Sequence, residues 1–256
     1  MALYFFKKHF LTIIITVLTL LFICSAAVAG LGYRIIKLDN GIKFFGKVDE
    51  SEYPVSGNIY YPDGNTGRIS IPEGKIVFDD GSIYIGEMYG LERQGTGRME
   101  FADGRFYDGS FYGDKFNGSG TLTGINGESY TGEFSDGLAD GEGTQICSDG
   151  SIYTGGFEKG KRSGKGTVKY SDGSIYDGYF KNNLKDGSGT FIYFGGDSYS
   201  GDFVEDVKNG YGTYTWNIGT KYSGEFRNDV MHGNGTLYFP DGSFYEGRFE
   251  NGKKAK

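Results

Sequence analysis

Several residue types are scarce in this chain. Among 256 residues there are two cysteines, two histidines, one tryptophan and four prolines. Cys24 lies inside an apolar run and Cys147 far from it, so no disulfide framework is expected. His9 precedes the same run and His232 stands far beyond it, in a region read as an exposed turn. One histidine past the apolar run assembles neither a Ser-His-Asp triad nor a His-rich zinc site. Basic clusters are also missing: 26 Lys and Arg against 33 Asp and Glu leave a formal charge of -7. That balance excludes a nucleic-acid partner, which needs a basic face for phosphates. The 46 glycines come without abundant proline or a glycine at every third position, which excludes collagen. Aromatic content of 17% excludes a disordered chain. What remains is a glycine-rich, aromatic, helix-poor composition that predicts short strands joined by tight turns.

The amino end is different. From Phe10 to Tyr33 no charge occurs over 24 residues, about 36 Å as a helix and enough to cross a bilayer core. Lys7 and Lys8 before the run favour a cytoplasmic N-terminus. A cleaved signal peptide competes, with an apolar segment from Phe10 to Ile23 and a small-x-small site at Ala27-Val28-Ala29. Residues 1–33 are therefore expected to be a transmembrane anchor or a signal peptide, and both readings carry the rest of the chain out of the cytoplasm. The protein is a single-pass membrane protein in the first case and secreted after cleavage near Ala29 in the second.

Beyond residue 33 one phrase repeats. Tyr84, Tyr107, Tyr130, Tyr153, Tyr176, Tyr199, Tyr222 and Tyr245 stand 23 residues apart. Two residues after each comes Gly86, Gly109, Gly132, Gly155, Gly178, Gly201, Gly224 or Gly247. Four after stands Phe111, Phe134, Phe157, Phe180, Phe203, Phe226 or Phe249, with Met88 the exception. A Gly-x-Gly follows, from Gly95 and Gly97 to Gly233 and Gly235. The pattern extends upstream: "NGIKFFGKV" (40–48) matches "DGSIYIGEM" (80–88), with Phe44 in the tyrosine position. A shortened unit lies between residues 65 and 83.

Side chains alternate along a strand, so Tyr-x-Gly-x-Phe places its three residues on one face. A glycine weakens a strand unless something must approach closely. The expected visitor is an aromatic ring from the neighbouring strand, lying where the side chain is missing. Seven residues after each tyrosine stands Asp114, Gly137, Gly160, Asn183, Asp206, Asp229 or Gly252, with Leu91 the exception; these types suit a turn. Asp-Gly pairs at 103–104, 149–150, 172–173 and 241–242 mark the second turn. Each unit is thus expected to be a hairpin pairing edge to edge with the next, about nineteen strands in all at roughly 4.8 Å spacing.

These residues resemble the MORN (membrane occupation and recognition nexus) repeat, on Tyr-x-Gly-x-Phe, Gly-x-Gly and Asp-Gly in fixed phase from about residue 40 to 256. The resemblance implies an all-β fold, an elongated single-sheet meander of stacked antiparallel hairpins, here preceded by one N-terminal apolar helix. The array spans 34–256, with degenerate units over 40–83, regular units over 84–244 and a partial unit over 245–256.

No catalytic residues, cofactor or metal site are expected. Glu87, Glu133, Asp202 and Glu225 recur before the phenylalanine position and read as a solvated face, not as paired catalytic carboxylates. Cys147 takes a position filled by aromatics elsewhere and reads as packing. The expected role is a non-enzymatic scaffold that presents aromatics, with Tyr170, Tyr193, Tyr214, Trp216 and Phe239 as the candidate binding surface. Its partner is a protein or a second copy. Lipid binding, which the resemblance also suggests, is weakened by the charge of -7. Carbohydrate or cell-wall binding rests on the ring surface, with Trp216 as its lone tryptophan.

Overall fold

The computed structural model describes residues 32–255. The expected apolar helix and cleavage site fall outside them, save that Tyr33 opens the first strand. Among the described residues no helix is long and apolar enough to cross a membrane. The described residues form 21 strands, two more than expected, because Tyr33–Lys37 and Lys253–Lys254 also pair. Packing divides the chain into two compact units, the first reaching Ala102 and the second starting at Asp103.

The first unit holds β1 (Tyr33–Lys37), β2 (Lys43–Val48), β3 (Pro54–Tyr60), β4 (Thr66–Ser70), β5 (Lys75–Phe78), β6 (Ile83–Tyr89) and β7 (Glu92–Glu100). Each pairs antiparallel with the next. Phe44 does take the tyrosine's place: it is fully buried, and Gly46 pairs with Gly57 beside its ring. The shortened unit has no tyrosine of that phase; Ile69, Ile76 and Phe78 fill the core instead. Leu91, the odd residue among the turns, is buried.

The second unit is a longer meander of β8 (Phe106–Tyr112), β9 (Lys115–Thr123), β10 (Ser129–Ser135), β11 (Leu138–Ile146), β12 (Ile152–Glu158), β13 (Lys161–Lys169), β14 (Ile175–Lys181), β15 (Leu184–Ile192), β16 (Ser198–Val204), β17 (Val207–Thr215), β18 (Lys221–Arg227), β19 (Val230–Tyr238), β20 (Phe244–Glu250) and β21 (Lys253–Lys254). Again each strand pairs antiparallel with its successor.

Two turns alternate along this unit. The first has two residues, both with positive φ: 48–54° at Gly113, Asp136, Lys159, Asn182, Glu205, Asn228 and Asn251, then 67–85° at Asp114, Gly137, Gly160, Asn183, Asp206, Asp229 and Gly252. Paired left-handed residues make a type I′ turn, whose twist suits a hairpin. Asn, Asp and Gly at the second position also latch units together. Asn183 donates its N–H to the Arg162 carbonyl at 3.0 Å, while its Oδ1 accepts the Arg162 N–H at 2.8 Å. Asp206 and Asp229 close the same reciprocal pair with Lys185 and Lys208. The second turn ends on a left-handed glycine such as Gly150 (φ 84°), and the Asp149 carboxylate accepts the Ser151 N–H at 2.8 Å.

Candidate functional site

The glycine slots exist, and the two glycines of Gly-x-Gly do different work. Gly155 pairs with Gly166, but the next pair is Phe157 with Arg162, so three residues bulge opposite one. The bulge contains Gly164, whose φ is 74°; the first glycine serves this backbone. The second glycine serves the ring. A Cβ on Gly166 would stand 2.5 Å from the Cε2 and hydroxyl of Tyr153, on the neighbouring strand as expected. The same holds for Gly143 under Tyr130 and Gly97 under Tyr84. Each hydroxyl then donates to the carbonyl three residues on, as Tyr153 does to Gly156 at 2.8 Å and Tyr130 to Glu133 at 2.8 Å.

The rings form a ladder. Tyr153 meets Phe157 of its own unit at 5.2 Å and Phe180 of the next at 5.0 Å, both edge to face. The alternation continues from Tyr107 to Phe249. Burial pushes the Tyr107, Tyr130, Tyr153 and Tyr222 hydroxyls up to about 12. These residues hold the sheet together and are closed to a partner.

A second, half-buried strip on the ring face is open. Tyr170 meets Phe191 at 5.5 Å, Phe191 meets Tyr193 at 4.4 Å, Tyr193 meets Tyr214 at 5.9 Å and Tyr214 meets Trp216 at 4.7 Å. Four of the five candidate binding residues are thus joined through Phe191, which the sequence reading left out. Phe239 stands apart, with the Lys254 ammonium 5.5 Å from its ring.

A row of cations was also missed. Nine residues after the tyrosine stand Arg162, Lys185, Lys208 and Lys254, each paired opposite the phenylalanine and lying over rings. The Arg162 guanidinium is 4.8 Å from the Tyr153 ring, Lys185 Nζ 5.1 Å from Phe191, Lys208 Nζ 5.1 Å from Tyr214 and Lys254 Nζ 4.3 Å from Tyr245. Such contacts are favourable when partly desolvated. Burial pulls the Lys208 pKa down, partly offset by Asp229 at 3.9 Å. Lys208 also donates to the Tyr193 hydroxyl at 3.3 Å. Asp197 accepts the Tyr214 hydroxyl at 2.7 Å, which lowers its own pKa. The 23-residue recurrence of these cations was a readable signal.

Of the carboxylates before the phenylalanine, Glu87, Glu133 and Asp202 are exposed as expected and Glu225 is half-buried. Glu87, Asp202 and Glu225 accept the N–H groups of Thr96, Tyr211 and Asn234, which the bulge turns away from the ladder. Cys147 packs as expected, 3.0 Å from an Arg162 nitrogen. His232 is a correction: it lies half-buried within β19, since the second strand resumes immediately after the two-residue turn. Among the described residues no group of three or more His, Cys, Asp or Glu is arranged to hold a metal.

The opposite face is polar. Cross-strand hydroxyl pairs recur in four units, Thr121 with Thr131, Thr144 with Thr154, Thr190 with Ser200 and Thr213 with Ser223, at 3.0–3.2 Å, and at the same place Thr167 donates to the Asp177 carboxylate at 3.0 Å. Two shallow hollows, of about 360 and 320 Å³, open beside Gly178, Gly189 and Thr190 and beside Gly224, Gly235 and Thr236. Eight lining positions correspond, two units apart, and Tyr179 lines only the first hollow.

Comparison with known proteins adds the family. The MORN repeat model matches seven consecutive segments, 107–129, 130–152, 153–175, 176–198, 199–221, 222–244 and 245–255. No curated protein matches the chain. Among solved structures, one similar chain is the SAS-4 (dCPAP) TCP domain of Drosophila melanogaster in complex with a proline-rich motif of Ana2. It is 14% identical, with 85% of this chain and 90% of that one covered and a TM-score of 0.30. Another is the TCP10 domain of Danio rerio CPAP in complex with a peptide of STIL, 14% identical, with 85% and 99% covered and a TM-score of 0.33.

Proposed function

The chain belongs to the MORN repeat family, and from that premise we propose that it is a non-catalytic scaffold whose ring face docks a protein partner. The observation that carries this reading is the strip from Tyr170 to Trp216. Its rings are ordered by mutual contact yet only half-buried, the state of an aromatic surface waiting for cover. The shifted groups support a structural role: the raised tyrosines are buried in ring packing, and the lowered carboxylates accept hydrogen bonds from nearby backbone and side chains. The uncharged run from Phe10 to Tyr33, flanked by Lys7 and Lys8, supports placing the array across a membrane from a cytoplasmic N-terminus, or outside the cell after cleavage near Ala29.

Light scattering of the full chain after size exclusion, together with crosslinked copurification, tests the scaffold. A self-assembled or partner-bound chain is expected, and loss of that association in Tyr193→Ser/Tyr214→Ser. A chain that stays monomeric and recovers nothing would discard the reading.

Glycan binding is the second reading, and one observation favours it: the paired hollows with their hydroxyl ladder. It belongs on the polar face, so Tyr179→Ser at one hollow should reduce glycan capture while Trp216→Ala does not.

A further inference from the structure

From residue 162 onward the row of cations on the ring face is interrupted once. At the position held by Arg162, Lys185, Lys208 and Lys254 the intervening unit has Met231. Beside it opens a hollow of about 280 Å³, bordered by Lys208, Tyr214, Trp216, Phe226, Asp229 and Met231. The neighbouring repeats show what such a place accepts, since each holds a lysine or arginine 4.3–5.1 Å from a ring centre. Here the ring on offer is Trp216, the strongest π-face for a cation, and among the described residues no cation lies over it.

We propose that this hollow takes a lysine or arginine side chain of a basic partner segment, set against Trp216 and Asp229. Charge supports that occupant. Asp229 borders the hollow and Asp197 accepts the hydroxyl of Tyr214, which lines it, against one bordering ammonium, Lys208, which is held over the rings of Tyr193, Tyr199 and Tyr214 at 3.9 Å from Asp229. The chain as a whole carries -7, which steers basic partners toward it. The proposal rests on the scaffold reading and names the chemistry of its partner.

Trp216 is the chain's one tryptophan, so its emission reports the hollow directly. The full-length chain is titrated with an alternating Gly-Lys peptide and with a matched Gly-Glu peptide. A saturable, salt-sensitive change is expected with the first, at dissociation constants up to about 1 mM, and none with the second. Met231→Lys supplies the missing cation from within and should weaken peptide binding by about tenfold or more. Asp229→Asn keeps a side chain that tolerates the left-handed turn and should weaken it about threefold. Equal response to both peptides, no saturable change, or wild-type affinity in a folded Met231→Lys variant would overturn the proposal. A partner retained by the full chain despite Met231→Lys would discard the hollow and leave the scaffold standing, whereas a chain that associates with nothing removes both.

Discussion

Substituting Gly166 with alanine isolates the ring slot from backbone strain. Gly166 is not in a left-handed conformation, whereas Gly164, two residues earlier, has φ 74° and no atom within 4 Å of an added Cβ. In Gly166→Ala the new Cβ would stand 2.5–2.6 Å from the Tyr153 ring and hydroxyl, so the ring must move. Moving it weakens the edge-to-face contacts with Phe157 and Phe180, at about 0.5–1.5 kcal/mol each. It also strains the hydroxyl bond to Gly156, about 1 kcal/mol, and the Arg162 contact, about 0.5–1 kcal/mol. A loss of about 3 kcal/mol is expected, against about 1 kcal/mol for Gly164→Ala, which meets only the left-handed cost. Urea unfolding followed by far-ultraviolet circular dichroism measures both. A double-mutant cycle with Tyr153→Leu should recover about 1–3 kcal/mol of coupling, because the clashing ring is gone. Equal losses at 164 and 166, or an additive cycle, would refute the slot.

Other perturbations test neighbouring parts. Ladder tyrosines ordinarily ionise near pH 10, and burial holds Tyr107, Tyr130, Tyr153 and Tyr222 up to about 12. A raised folded pKa gives stability that is whole below the unfolded value and lost as pH rises toward the folded one. Thermal midpoints should therefore hold steady to about pH 10 and fall steeply from about 10 to 12; a flat profile there would contradict the buried ladder. Asn183→Ala loses both the latch to Arg162 and a residue suited to φ 75°, and should cost about 2 kcal/mol in denaturant unfolding. Asn183→Gly should cost about half of that, because only the latch is lost. Tyr153→Phe keeps the ring and deletes one hydroxyl bond, so a loss of about 1 kcal/mol is expected by the same measurement.

The repeat made the hairpins legible because rings, slots and turn residues recur in one phase. Its limits are physical. Alternation predicts which face a side chain takes only while pairing is regular, and the bulge at Gly164 adds residues to one strand alone. Glu87 and Asp202 are exposed as read and Glu225 is half-buried, but the sequence does not show that all three also accept N–H groups at the bulge. The same effect hid Arg162, Lys185 and Lys208, whose charge suggests water but whose position opposite phenylalanine sets them over rings. Lys159 and Glu205 adopt positive φ although neither type favours it, because the two-residue turn demands it of whatever stands there. Within the candidate strip, Tyr170, Tyr193, Tyr214 and Trp216 are legible as aromatics in register, whereas Phe191, two residues before Tyr193, is joined to them only by its ring contacts.

Photocrosslinking by face tests the account most directly. A benzophenone side chain placed at Trp216 on the ring face, or at Tyr211 on the polar face, is activated in full-length chain within its native cells. Protein adducts concentrated at position 216 and absent from 211 are the predicted result. Adducts from 211 alone, or glycan or lipid adducts alone at 216, would contradict a ring face that grips a protein.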